Sequence, residues 1–234
     1  MSIQEKTSEV GLIRPQIKLS SNEEELIFDI LQQENKDQLE HFIQGRQKIG
    51  ALEPLGWLVI QDPDSKYQHY PWFVAFLSDR WPEGAGILLD AMVQNTSERI
   101  REYHFKDSTL LHWVLGCPPY DEDWSVSNVL AQRLIDLGVD LEAEDPHSED
   151  KLLLAGEWAI RLDNVEGFLM WCSALTDAQM NLHLARINKC IDTDCDSPVL
   201  MREVLTRNEE QRLLRSIDEM KGHEVSGPRS LKRL

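Results

Sequence analysis

The stretch DTDCDSPVLMRE, residues 192–203, places Asp192, Asp194 and Asp196 at alternate positions and ends on Glu203 at its twelfth. Carboxylates in that spacing are the ligand pattern of a calcium-binding EF-hand loop, whose hard oxygen donors close around the ion. The chemistry also needs a left-handed backbone at the sixth position, where glycine normally sits. Here that position is Ser197, followed by Pro198, and a proline pushes the residue before it towards extended backbone. Serine is a good helix N-cap and proline a favoured first helical residue. The same string therefore predicts a helix that starts at Pro198, with the three aspartates on a solvated loop tip. Calcium binding through residues 192–203 ranks lowest among the functional readings.

Other reactive residue types fall short of a site. Cys190 and Cys195 form a C-x4-C pair with His183 seven residues upstream, but a structural zinc needs four ligands and no fourth is evident. His112 and Cys117 share one segment, although a nucleophile needs its base within hydrogen-bond reach and this spacing does not imply contact. Gly84 and Gly86 open a helical stretch without the third glycine or the preceding strand of a dinucleotide site, and no G-x-S-x-G, Walker or H-E-x-x-H motif occurs. The expectation is a non-enzyme with no catalytic residue, no metal and no cofactor. The four cysteines are expected to be reduced, in a cytoplasmic protein.

The elements that would position these residues read as short helices in pairs. Leu26, Ile27, Ile30 and Leu31 recur at helical spacing, break at residues 34–37, and resume at Leu39, Phe42 and Ile43. Trp72 to Leu77 and Gly86 to Val93 flank a break at residues 80–84. Leu110 to Leu115 and Val129 to Leu137 flank a longer one, residues 117–128. Leu152 to Ile160 pairs with Val165 to Leu175, and Met180 to Ile191 with Pro198 to Leu205. No strand emerges with force; Trp57 to Ile60 is strand-like but short. Such pairs cannot bury their own apolar faces and must stack on neighbours, which is the pattern of a helical solenoid.

The third and fourth pairs carry a more specific pattern. Residues 109–115 read TLLHWVL and residues 129–145 read VLAQRLIDLGVDLEAED. These resemble the ankyrin repeat, whose first helix opens T-P-L-H-x-A and whose second ends L-L-x-x-G-A-D-V-N-A-x-D. Thr109, Leu111 and His112 match the opening; Leu134, Ile135, Gly138, Asp140, Leu141, Ala143 and Asp145 match the ending. Leu110 replaces the proline, Val139 the alanine and Glu142 the asparagine. Weaker copies lie at residues 70–75, 151–154 and 181–185. The resemblance covers residues 22–210 and implies an all-α fold, an irregular ankyrin-like solenoid of four to five helical hairpins. It assigns Thr109, His112, Gly138 and Asp140 to the repeat architecture. Residues 1–21 are expected to form an arm, and residues 211–234 a helix end with a mobile basic tail.

Function is then expected on the surface. The 117–124 segment combines Tyr120 and Trp124 with Asp121, Glu122 and Asp123. It is either a recognition loop, since aromatic side chains bury large areas with few rotors, or a loop packed over its own repeat. Tyr67 and His69 lie where an ankyrin array projects a finger, and Trp113 stands at a variable position that either meets a partner or fills the core. With 24 basic and 41 acidic residues, a formal net charge of −17 argues against a nucleic-acid partner and for a protein with a basic surface. No stretch reaches the roughly 18 apolar residues of a membrane span, and the first residues lack a signal core. A small acidic ankyrin-like chain is similar to bacterial immunity proteins that neutralise secreted toxins; an adaptor or host-directed effector is the alternative.

Overall fold

The computed structural model describes residues 21–48, 59–61, 69–71, 73, 76–77, 81–101, 104–105, 108–119, 123–145 and 152–224. Most of them are helical, and the chain falls into two units, residues 1–96 and 97–234. Among the described residues no helix is long and apolar enough to cross a membrane.

In the first unit, helices α1 (Ser21–Gln32) and α2 (Lys36–Lys48) form the hairpin that the apolar spacing predicts. Ile27, Ile30, Leu31, Leu39 and Ile43 are buried. The turn between them has a defined cause. Glu34 is left-handed, with φ of 48°, which lets its amide donate to the Leu31 carbonyl at 3.1 Å and the Asn35 amide to that of Ile30 at 3.0 Å. This is a Schellman closure, in which glycine usually occupies the left-handed place. Asn35 then caps α2 by accepting the Gln38 amide at 3.1 Å.

Strands β1 (Val59–Gln61) and β2 (His69–Pro71) pair antiparallel, with Gln61 opposite His69. Phe73, Phe76 and Leu77 are helical and buried. Helix α3 (Pro82–Arg101) starts inside the stretch that reads as a break. Pro82 is its first residue, where the missing N–H costs nothing. The Trp81 ring lies 5.2 Å from that of Phe76 and covers Gly84 so closely that a Cβ there would sit 2.4 Å from the indole.

The second unit repeats one plan. Strands β3 (His104–Phe105) and β4 (Ser108–Thr109) lead into helices α4 (Leu110–Gly116) and α5 (Ser125–Asp136). Strands β5 (Glu144–Asp145) and β6 (Leu153–Leu154) lead into α6 (Ala155–Arg161) and α7 (Val165–Ala174). Helices α8 (Asp177–Asp194) and α9 (Pro198–Glu224) complete it. Each first helix packs on its second. Helices α4, α6 and α8 also pack side by side, as do α5, α7 and α9, so two layers enclose the core.

Two closures have the same form as the one after α1. After α5, Gly138 at φ 80° donates to Ile135 and Val139 to Leu134. After α6, Asp163 at φ 52° donates to Ile160 and Asn164 to Ala159.

Several expectations need correction. The fold is mostly helical, but three antiparallel strand pairs accompany the helices among the described residues. They hold two or three residues each, too few for a period-two pattern to register, and β6 hides inside the apolar run that reads as one helix. The 117–128 break is shorter than predicted, because α5 begins at Ser125. Only Leu175 and Thr176 join α7 to α8, so no strand pair intervenes there. The last helix runs to Glu224, well past Leu205.

The left-handed positions give opposite predictions for two substitutions. Glu34→Gly should raise unfolding stability by about 0.5–1 kcal/mol, because a left-handed non-glycine residue costs about 1–2 kcal/mol and glycine gives part of that back in the unfolded chain. Gly138→Ala should lower it by about 1 kcal/mol or more. Urea denaturation of the full chain measures both.

Candidate protein-binding surface

The side chains with the most chemical potential begin the first helices of the second unit. The Thr109 amide donates to Nδ1 of buried His112 at 3.1 Å. That bond makes Nδ1 an acceptor and places the neutral ring's proton on Nε2. At the start of α6 the Leu154 amide donates to Glu157 Oε2 at 2.8 Å. At the start of α8 the Thr176 amide donates to Gln179 Oε1 at 2.9 Å. One task, satisfying the amide that precedes the helix, is thus done by an imidazole, a carboxylate and an amide three residues on.

Glu157 carries a second load. It is buried, and Arg186 from α8 binds it through Nε at 2.8 and 2.9 Å and through Nη2 at 2.6 Å. Arg186 also reaches Glu144 Oε1 at 2.5 Å and the Leu152 carbonyl. Burial opposes the arginine's charge, but the Glu157 and Glu144 hydrogen bonds outweigh it and raise its pKa. Nearby, Ser108 Oγ donates to Asp145 Oδ1 at 2.7 Å and Trp158 Nε1 to Oδ2 at 2.9 Å, tying β4, β5 and α6 together. Glu142 accepts from Gln179 Nε2 at 2.6 Å and contacts His183 Nε2 at 2.9 Å. The Gln179 bond, then that of His183, holds the Glu142 carboxyl below its usual range.

A polar ladder links the second helices, with a buried asparagine in each bond. Asn164 Nδ2 donates to Asn128 Oδ1 at 3.0 Å, and Asn208 Nδ2 to Ser173 Oγ at 2.9 Å. The sequence reading missed Glu157, Arg186 and these asparagines. Their one available signal was polar character at positions that helical periodicity assigns to the inside.

The acidic dodecamer is divided between two helices. Asp192 and Asp194 lie in the last turn of α8, where Asp192 pairs with Arg202 and Asp194 with Arg161 at 2.9 Å. The expected free loop tip is therefore wrong for these two, because α8 extends to Asp194 and arginines lie within reach. Ser197 and Pro198 do start α9, and the Ser197 amide is capped by Asp163 Oδ1 at 3.1 Å from the preceding hairpin. The cysteine–histidine group does not converge either. His183 faces Glu142, Cys190 Sγ lies 3.9 Å from the Glu157 carbonyl, and Cys195 Sγ lies 3.3 Å from Asp163 Oδ1. Burial, with the Asp163 and Asp196 carboxylates nearby, pushes the Cys195 thiol up to about 11.

The candidate contact residues are spread out. Tyr67, Tyr120, Asp121 and Glu122 lie outside the described residues. His69 sits in β2 of the first unit; the others belong to the second. Asp123 is exposed and accepts the Ser125 amide at 2.9 Å, which holds its carboxyl below the usual range. Trp124 is half-buried at the N-cap of α5. Trp113 is half-buried in α4, at the place Trp158 takes in α6. Trp158 covers Gly116, where an added Cβ would sit 3.4 Å from the indole, so packing is a natural use for that position. Asp140 is exposed and accepts the Glu142 amide at 2.9 Å. No family model, no curated protein and no solved structure matches this chain.

Two measurements follow. Arg186→Ala strands the Glu157 carboxylate and should cost on the order of 3 kcal/mol, part of which Glu157→Gln in the same chain should restore. The Glu142 interaction has a depressed folded pKa, so its stabilisation is complete above the ordinary carboxylate pKa of about 4 and disappears as pH falls through the lower value. Glu142→Gln should therefore make the acid limb of the stability–pH curve shallower.

Proposed function

We propose that this chain is a non-enzymatic protein-binding module built as an irregular ankyrin-like solenoid. Its most concrete role is that of an acidic cytoplasmic immunity protein that binds a cognate toxin through the toxin's basic surface. One observation supports the solenoid reading above others. Helices α4, α6 and α8 open with the same amide-to-side-chain bond and lie side by side, and their partners α5, α7 and α9 also lie side by side. In that arrangement His112 and Gly138 maintain the repeat, and recognition is left to the strand-pair fingers, the first helices and the loop before α5. The exposed Asp123 and Asp140 and the net charge of −17 favour a cationic partner, with association speeded by charge and weakened by salt.

The deciding experiment captures proteins from the source cells on the tagged chain at low and high salt. Each captured protein is then expressed alone and with this chain. The reading stands if a captured protein arrests growth by itself, is neutralised by co-expression, and is released by salt. It falls if captured proteins are harmless or if capture ignores salt. Reversing Asp121, Glu122 and Asp123 to lysine should weaken binding by about tenfold or more if the loop is in the interface, each tenfold being about 1.4 kcal/mol.

A further inference from the structure

Helix α9 presents two unlike faces. Inward, Met201, Val204, Leu205 and Asn208 are buried. Arg212 closes that face, donating to Asn208 Oδ1 at 2.9 Å, to Asp177 Oδ1 at 2.6 Å, and to the carbonyls of Leu175 at 2.7 Å and Cys172. Outward, Val199, Leu200, Leu213, Leu214 and Ile217 are 41–70% exposed. They make up five of the nine large hydrophobic side chains exposed among the described residues, so the exposure is concentrated on one element. Val199, Leu213 and Ile217 fall on one side at helical spacing. Beyond Arg212 every residue from 213 to 218 is exposed, yet the helix continues to Glu224, roughly 18 Å further. A helical extension of that length is marginal in water without a packing surface.

Charge identifies the occupant. Between residues 198 and 218 the exposed Arg202, Arg207 and Arg215 balance the exposed Glu203, Glu210 and Asp218, in a chain whose net charge is −17. A second copy of this chain is repelled elsewhere but meets a neutral, apolar surface here. The face is also self-complementary. Two α9 helices crossing antiparallel about a two-fold axis between residues 212 and 213 set Arg207 opposite Asp218 in both directions. Such reciprocity is what an isologous interface requires.

We propose that the chain forms a two-fold homodimer through the outward face of α9. Leu213, Leu214 and Ile217 of each copy lie around that axis and supply the apolar centre of the contact. The proposal does not depend on the toxin-binding reading.

Sedimentation and light scattering of the full chain across the micromolar range test it. The expected mass is twice 27.0 kDa. Leu213→Asp with Leu214→Asp should give a monomer with unchanged circular dichroism, since both side chains are exposed. Leu182→Asp, equally conspicuous at 72% exposure but on α8, should leave the dimer intact. Arg207→Asp should weaken dimerisation by about tenfold or more, and Asp218→Arg in the same chain should restore it. A monomer at all concentrations overturns the proposal, as does a dimer that survives the double aspartate change. If that variant loses helix, the charge-swap pair decides: failure of Asp218→Arg to rescue overturns the antiparallel pairing.

Discussion

A backbone amide just before a helix has no backbone partner within that helix, and the second unit is organised around supplying a side-chain one. At Thr109, Leu154 and Thr176 the partner comes from the third residue of the helix itself. Once that bond forms, the strand or link before the helix has a fixed direction. The first helices can then lie parallel, the second helices follow, and the apolar stripes meet. Histidine, glutamate and glutamine all fit because each offers an acceptor at the end of a short arm. The glutamate alone brings a charge into the interior, and the stack accommodates it by reaching for Arg186 across to the next helix.

The helices were legible because their apolar residues recur at 3.6-residue spacing, and because Gly138 and the Ser197–Pro198 pair punctuate them. The strands were not, since two residues carry no periodicity. Glu34 and Asp163 were also hidden, because neither side chain announces a left-handed turn in the way glycine does. At the candidate surface the ankyrin resemblance set His112 among the repeat-motif residues; in the structure its Nδ1 accepts the Thr109 amide. It misjudged Asp192 and Asp194, whose arginine partners Arg202 and Arg161 are set by how α8 and α9 pack and not by proximity in the chain. Glu157 was passed over because a carboxylate on a helix usually faces water. Only its two partners, the Leu154 amide and Arg186, make the interior tolerable for it.

The polar interior also explains how the stacked hairpins of the second unit keep one register. Apolar stripes alone would let neighbouring helices slide. The ladder through Asn128 and Asn164, and the separate bond from Asn208 to Ser173, penalise a slip, since each buried amide that loses its partner costs about 1–3 kcal/mol. Gly167 lets α4 approach closely, because a Cβ there would come within 2.8 Å of the Leu115 side chain.

The reach of Asp163 has a consequence for how this molecule could change length. Its carboxylate finishes the start of α9, while Arg212 of α9 finishes the end of α7 through Cys172 and Leu175. The last two hairpins therefore complete each other's exposed backbone. Deleting or inserting a whole hairpin at this junction would leave loose polar ends on both sides. Gain or loss of one hairpin here would therefore require new partners for both of its neighbours.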